Sequence, residues 1–506
     1  MYNINLKKER QKMITTNNKK NRNDTLLQEI NGHKYIHGYH DFINTPRLLT
    51  LVDTPQRSDP EYIRDILQKS LEIKTLTLAE TAALLQVKNQ QLLEEMKHTA
   101  GEVKRKVYDN RIVTFAPLYL SNLCVNNCLY CAFRKDNTAI KRRKLTPEEV
   151  KKETEVLAGQ IGHKRLIVVY GEHPQSHVDY MVDTIQAIYS VCVKTKNGTG
   201  QIRRVNVNAA PLSVDDLKIL RRAGLGTFQV FQETYHRDTY AQVHPAHTLK
   251  ADYEWRLYCM HRAFEAGIDD VGIGALFGLY DWRFEVLGLV SHARELENSF
   301  GIGPHTISFP RLEPALNCPY IDNAGYHVND VNFKRAVTVI RLAVPYTGMI
   351  LTARECPDMR KETLPLGCTQ TDSSSRIGIG SYSGKDTESR QQFQLNDKRS
   401  LDEVIRELAN MGYITSFCTA GYRCGRTGAK IMNLLRSGKE GNFCKANAIL
   451  TFQEWLDDFA SEETKAVGEK IIQKEILELR RKLPAMYPSL LEYYNRICAG
   501  ERDLYF

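Results

Sequence analysis

Between residues 111 and 382 the chain alternates short apolar runs with longer amphipathic stretches. The runs occupy 112–120, 166–170, 205–209, 227–231, 271–277, 306–309, 348–352 and 377–382. Runs of this length read as strands covered on both faces. Helix candidates lie between most of them. The clearest starts at Thr146, with Pro147 in the first helical position and Glu149 completing a capping box. Eight strands alternating with helices predict an α/β fold closed into a (β/α)8 TIM-type barrel, in preference to an open doubly wound sheet.

The flanks carry a helical period instead. Residues 25–110 read as an N-terminal helical extension, in which Thr77 and Glu80 form a capping box before Leu78, Ala82 and Leu85. After a polar connector at 383–399 the pattern is again helical, with Ile472, Ile476 and Leu479 on one face. The predicted division is a polar tail (1–24), the helical extension (25–110), the barrel (111–385) and a helical C-terminal domain (386–506).

Composition narrows the class without naming a chemistry. With 42% hydrophobic and 25% charged residues over 506 positions, the chain is an ordinary globular one, not a disordered or collagenous one. Its formal charge of +9 is uneven, because residues 1–24 hold seven basic groups against Glu9 and Asp24. The remainder is nearly balanced, so nucleic acid is not an expected partner. No apolar stretch follows the basic start and no run is long enough to span a membrane, which makes the cytoplasm the expected location. A hydrogenosomal or other organellar address would require the basic tail to act as a transit peptide.

Chemistry enters with the cysteines. Just after the first predicted strand stands Cys124-Val-Asn-Asn-Cys128-Leu-Tyr-Cys131. Three thiolates on a loop leaving a barrel strand can hold three irons of a [4Fe–4S] cluster and leave the fourth open. A structural zinc site would want a fourth Cys or His nearby, and none falls within about 25 residues on either side. The Cys-x3-Cys-x2-Cys spacing, with the aromatic Tyr130 before the last Cys, resembles the radical S-adenosylmethionine (SAM) enzymes. That resemblance implies SAM chelated by the open iron and cleaved by one electron to a 5′-deoxyadenosyl radical. A one-electron donor such as flavodoxin or ferredoxin, and anaerobic handling, come with it.

In a barrel the carboxyl ends of the strands face the site. The second ends in Tyr170-Gly171-Glu172, similar to the Gly-Gly-Glu element that holds the SAM amino group in these enzymes. The third carries Asn206 and Asn208, and the fourth ends in Gln232 and Glu233, candidates for the SAM ribose. On the fifth, Gly272 and Gly274 leave room for an adenine, and their spacing does not suit a dinucleotide fingerprint. Ser308 and Arg311 follow the sixth strand and Arg354 the seventh. Either guanidinium could clamp a substrate carboxylate, and Arg311 is the first choice.

The runs Phe228-Gln-Val-Phe-Gln-Glu-Thr-Tyr-His236, Gly267-Ile-Asp-Asp-Val-Gly-Ile-Gly274 and Leu276-Phe-Gly-Leu-Tyr280 resemble the tyrosine lyases of the radical SAM superfamily, ThiH and HydG. Both take L-tyrosine to p-cresol and dehydroglycine (2-iminoacetate). HydG, a maturase of [FeFe]-hydrogenase, has a further tail where dehydroglycine becomes CO and cyanide on a second cluster, for delivery to a scaffold protein. The tail here is similar to that of HydG: Phe417-Cys418-Thr-Ala-Gly421-Tyr-Arg-Cys424 and then Asn442-Phe-Cys444. It departs at Gly421, where that family has its middle cysteine, so Cys418, Cys424 and Cys444 are the candidate ligands of a second cluster. The resemblance also implies an extra iron held by a histidine, for which His244 and His247 are the candidates. A ThiH-like 2-iminoacetate synthase without CO or cyanide formation is the alternative.

Overall fold

A computed structural model describes residues 40–245, 248–384, 390–436 and 440–506. The expected tail (1–24) and the start of the expected extension lie outside these residues. The account below concerns the unit Phe42–Phe506.

Four helices open it: α1 (Thr45–Asp53), α2 (Pro60–Leu71), α3 (Leu78–Gln86) and α4 (Gln90–Tyr108). Each starts where a short polar side chain satisfies an orphan amide. The caps are Asn44, Asp59, Thr77 with the expected Glu80 box, and Asn89. Ala82 and Leu85 are buried on the inner face of α3. Asp109, at φ 58°, turns the chain out of α4 into the first strand.

Eight parallel strands follow: β1 (Arg111–Ser121), β2 (Arg165–Tyr170), β3 (Arg204–Asn208), β4 (Phe228–Gln229), β5 (Val271–Gly274), β6 (Thr306–Ser308), β7 (Gly348–Leu351) and β8 (Gln370–Asp372). β8 pairs back onto β1, with Val113 opposite Gln370, so the sheet closes into the predicted barrel. The Thr146 capping box is present and starts a helix, Pro147–Val156, between β1 and β2. The eighth strand is not the expected 377–382 run, which forms turns; it is Gln370-Thr-Asp372. These polar residues are fully buried because Thr371 Oγ1 donates to Leu351 O at 2.8 Å and Asp372 Oδ1 accepts from Ala353 N at 2.7 Å. An apolar-run criterion cannot see a strand whose polar groups are satisfied by its neighbours.

A ninth strand, β9 (Ile414–Ser416), pairs with the amino-terminal end of β1, Arg111 opposite Ile414. It anchors the helical C-terminal region to the bottom of the barrel. Helices Glu440–Phe459 and Glu462–Lys482 bury Ile449, Phe452, Trp455, Ile472, Ile476 and Leu479 in one apolar cluster. Each such side chain contributes about 1.5–3 kcal/mol. Buried charges pin the same region to the barrel: Glu454 takes Lys164 at 3.1 Å and Arg203 at 2.8 Å, and Lys445 reaches Glu475 and Asp109 at 2.6 Å each.

Candidate active site

The top of the barrel opens into a cavity of about 220 Å³ lined by Cys124, Cys128, Cys131, Tyr130, Gly171, Glu172, Asn208, Glu233, Ser308 and Arg354. The cysteine loop is held by backbone and side-chain hydrogen bonds together. Gly171 N donates to Ser121 O at 2.8 Å, and Val125 N donates to Glu172 O at 2.9 Å. Asn126 Nδ2 donates to Glu172 Oε2 at 2.6 Å. A Cβ on Gly171 would stand 2.2 Å from Leu123 O, so only glycine lets the end of β2 lie against the loop. Gly171→Ala is expected to lower the iron bound on anaerobic reconstitution severalfold while the far-ultraviolet spectrum stays unchanged.

Burial raises all three thiols: Cys124, Cys131 and Cys128, the last to about 11. Such thiols hold their protons in a metal-free protein and must release them as iron binds.

Glu233 sits at φ 73° with its carboxylate between Lys250 at 2.8 Å and Arg256 at 3.1 Å. Burial pushes its titration up, but the two cations outweigh it and hold it ionised, below the usual carboxylate range. A left-handed backbone at a non-glycine residue is strain that the surroundings must hold. Glu285 does part of this from behind, accepting Tyr235 N at 2.8 Å and the Thr234 hydroxyl. Glu285 itself is raised to about 8 by burial. Because its folded value lies above the unfolded one, its stabilising contribution is intact at low pH and lost as pH rises toward 8. Glu285→Gln should therefore show a smaller fall in Tm between about pH 5 and about pH 8 than the unsubstituted protein.

Several expected residues lie elsewhere. Arg311 is absent from the cavity lining: Glu355 takes its Nε at 2.9 Å and also its Nη2, and Asp330 takes Nη1 at 2.8 Å. Arg354 lines the cavity instead, stacked 3.4 Å over Phe393, and no described carboxylate pairs with it. Its Nη1 donates to Arg311 O at 3.2 Å. Asn206 turns from the cavity to accept Thr227 N at 3.0 Å. Gly272 and Gly274 do make room, but for other side chains: an added Cβ would stand 2.6 Å from Thr306 Oγ1 and 3.0 Å from Gln229 Cγ at Gly272, and 2.6 Å from the Phe231 ring at Gly274. Gln232 is buried near Glu233 and does not line the cavity, while Ser308 lines it and accepts Gln229 Nε2 at 2.9 Å. The wall also holds Lys250, Arg256, Glu313, Asp372 and Gln392, which the sequence patterns did not single out.

The second cysteine group belongs to the opposite end. Tyr422, between Cys418 and Cys424 in sequence, packs 3.3 Å under the Arg204 guanidinium and 6.3 Å from the His305 ring. Arg204 opens β3 and His305 precedes β6, so these mark the barrel's bottom. Along β2 alone the two ends are separated by roughly 17 Å. Cys424 Sγ lies 3.4 Å from Phe506 O, and a Cβ on Gly421 would meet nothing nearer than 4.0 Å. His244 cannot serve that end. Its Nε2 is 2.8 Å from the Tyr130 hydroxyl and its Nδ1 2.9 Å from Tyr240 O, beside the first cysteine loop. His247 lies outside the described residues.

The top cavity fits a cluster with bound SAM. All three thiols line it, the buried Asn126 Oδ1 beside them has no partner, and its wall carries both cations, Lys250 and Arg354, and anions, Glu172 and Glu233. The comparisons agree. Residues 118–287 match the Radical SAM superfamily model and 308–414 the Biotin and Thiamin Synthesis associated domain. The chain is 30% identical over 347 residues to 2-iminoacetate synthase of Escherichia coli, covering 68% of this chain and 88% of the relative. It is similar to a crystal structure of HydG, a maturase of the [FeFe]-hydrogenase, with 46% identity, TM-score 0.87, and coverage of 92% of this chain and 100% of that one. HydG from Carboxydothermus hydrogenoformans matches at 37% identity and TM-score 0.74 over the same shares. Among the described residues no helix is long and apolar enough to cross a membrane. The chain belongs to the radical SAM family that includes 2-iminoacetate synthase and HydG, and its cofactors are those of the family, a [4Fe–4S] cluster and SAM.

Proposed function

We propose that this protein is a carbon–carbon lyase that cleaves L-tyrosine between Cα and Cβ to p-cresol and dehydroglycine, and that its tail converts dehydroglycine to CO and cyanide for hydrogenase assembly. The observation that carries the first half is Arg354, a cavity guanidinium with no described carboxylate partner, facing the same space as the three cysteines. It suits an amino-acid carboxylate.

Cys124, Cys128 and Cys131 would hold the cluster, with Glu172, Asn208 and Glu233 around the SAM. Bound there, cluster and SAM supply one-electron cleavage and hydrogen abstraction. The protein's own work is placement. Arg354 fixes the substrate carboxylate and Ser308 lies within the same wall. Phe115, Ile167 and Ile350 make an apolar layer beneath, which keeps water from reactive species. Anaerobic reconstitution with tyrosine, SAM and dithionite should yield p-cresol. Its absence with the first cluster loaded would refute the lyase reading. A flavodoxin- or ferredoxin-type donor would replace dithionite in the cell, and a hydrogenase maturation scaffold would take the product.

For the tail, Cys418, Cys424 and Cys444 are the proposed ligands, and His305 replaces His244 as the histidine on hand for an extra iron. Gly421 favours a second reading, a 2-iminoacetate synthase that releases dehydroglycine. Gly421→Cys separates the two. Room exists for the added thiol. If the native tail is damaged, the variant gains iron and begins to form CO and cyanide, with p-cresol output unchanged. If Cys424 already completes the site, the variant gains neither.

A further inference from the structure

The segment Gln391–Asp397, leading from the barrel to the C-terminal helices, forms a strap along the wall of the cavity. Gln394 N donates to Pro314 O at 2.9 Å, and Asn396 N and Asp397 N both donate to Ala353 O at 3.0 Å. Asn396 Nδ2 reaches Glu313 Oε2 at 2.8 Å and Arg354 O at 2.7 Å, and Asp397 pairs with the buried Arg360. Gln392, Phe393 and Leu395 thereby line the cavity.

Within the strap, Gln392 makes a contact no motif announces. Its backbone oxygen accepts Ala132 N at 3.3 Å, which seats it beside the last cysteine. The Tyr119 hydroxyl donates to Gln392 Oε1 at 2.9 Å. With its oxygen taken, the amide turns its N–H group to Cys131 Sγ, at 3.5 Å. This orientation is set from β1, the strand that also delivers the cysteine loop.

We propose that Gln392, oriented by Tyr119, is a positioning residue that sets the reduction potential of the cluster on Cys124, Cys128 and Cys131. An N–H donor to a ligand sulfur stabilises the more negative, reduced state and raises the potential. The strap ties this donor to Ala353 and to the backbone of Arg354, so the donor at the cluster and the substrate clamp are held by one piece of chain. The proposal rests on the first cluster assignment, whose own failure would appear as an unsubstituted protein in which no cluster EPR signal responds to added SAM.

The test is an EPR-monitored redox titration of the reconstituted full chain. At the midpoint potential of the unsubstituted protein, Gln392→Leu should lower the reduced-to-oxidised ratio by about fivefold, as expected for one lost hydrogen bond of about 1 kcal/mol. Gln392→Glu, which sets a carboxylate against the sulfur, should lower it further. Tyr119→Phe, which frees the amide without removing it, should lower it less. Iron and sulfide content should stay the same throughout. A strap with only a structural role would change Tm and leave the potential in place. Unchanged potentials in both Gln392 variants would overturn the proposal. Should those variants fail to load a cluster, Tyr119→Phe decides it: a lowered ratio supports the proposal and an unchanged one overturns it.

Discussion

Arg354→Met is expected to remove tyrosine turnover while Arg311→Met leaves it largely intact, the reverse of what the motif order suggests. The two arginines follow adjacent strands, but their partners differ. Arg311 is neutralised by Glu355, which is 3% exposed, and by Asp330, so it has no charge left for a ligand. Arg354 lies half-buried in the cavity wall over Phe393, and no described carboxylate comes within ion-pairing distance of it. Its enclosure lowers its affinity for its proton although Glu313 and Glu233 oppose this from a distance, and a substrate carboxylate would bring a closer negative charge. Losing a bidentate clamp should cost on the order of 10²–10³-fold in kcat/KM for tyrosine, with SAM binding unaffected. Arg311→Met leaves Glu355 buried and unpaired, which should cost about 3 kcal/mol in stability. Steady-state kinetics and thermal unfolding on both variants check this. Equal kinetic loss in both would mean that Arg311 acts on the substrate despite its ion pairs.

Substituting cysteines at the two ends of the barrel should give two different failures. Cys128→Ala removes a proposed ligand from the top cavity, where the residue is 5% exposed and a methyl group fits with little strain. The protein should fold, bind little iron at that end, and form no p-cresol at all. Cys418→Ala acts at the bottom, where the residue sits at φ 47° beyond β9. It should leave p-cresol at the level of the unsubstituted enzyme and abolish CO and cyanide, if the tail forms them. p-Cresol by chromatography and cyanide by derivatisation, measured on the same samples, resolve the outcomes. Loss of p-cresol in Cys418→Ala would contradict the separation of the two ends.

Much of this was legible in the order of residues. Seven of the eight barrel strands were legible because strands buried on both faces are largely apolar. The one misplaced, β8, is Gln370-Thr-Asp372, whose polarity is cancelled by hydrogen bonds to the β7 region. The cysteine loop could be read because its three thiols act within eight residues. The roles of Asn206, Gly272 and Gly274 could not, since their register fixes which wall they line but not which neighbour fills the space. Gln229 and Phe231 fill it. Lys250 and Arg256 were missed because they come from a connection after β4 and reach Glu233 only through the fold.

Sequence alone, then, determined the local chemistry: the alternation that builds a barrel, the capping boxes at Thr77 and Thr146, and the cysteine spacing on which the proposed cluster site rests. Those features depend on neighbours a few residues apart, and short spacings survive any tertiary arrangement. Only the folded structure decided which arginine is engaged in ion pairs, at which end of the barrel Cys128, Cys424, His244 and His305 lie, and that Gln392 reaches Cys131 across 261 positions. Each of these depends on charge pairing and hydrogen bonding between distant segments, and a partner 261 residues away leaves no periodic trace in the chain.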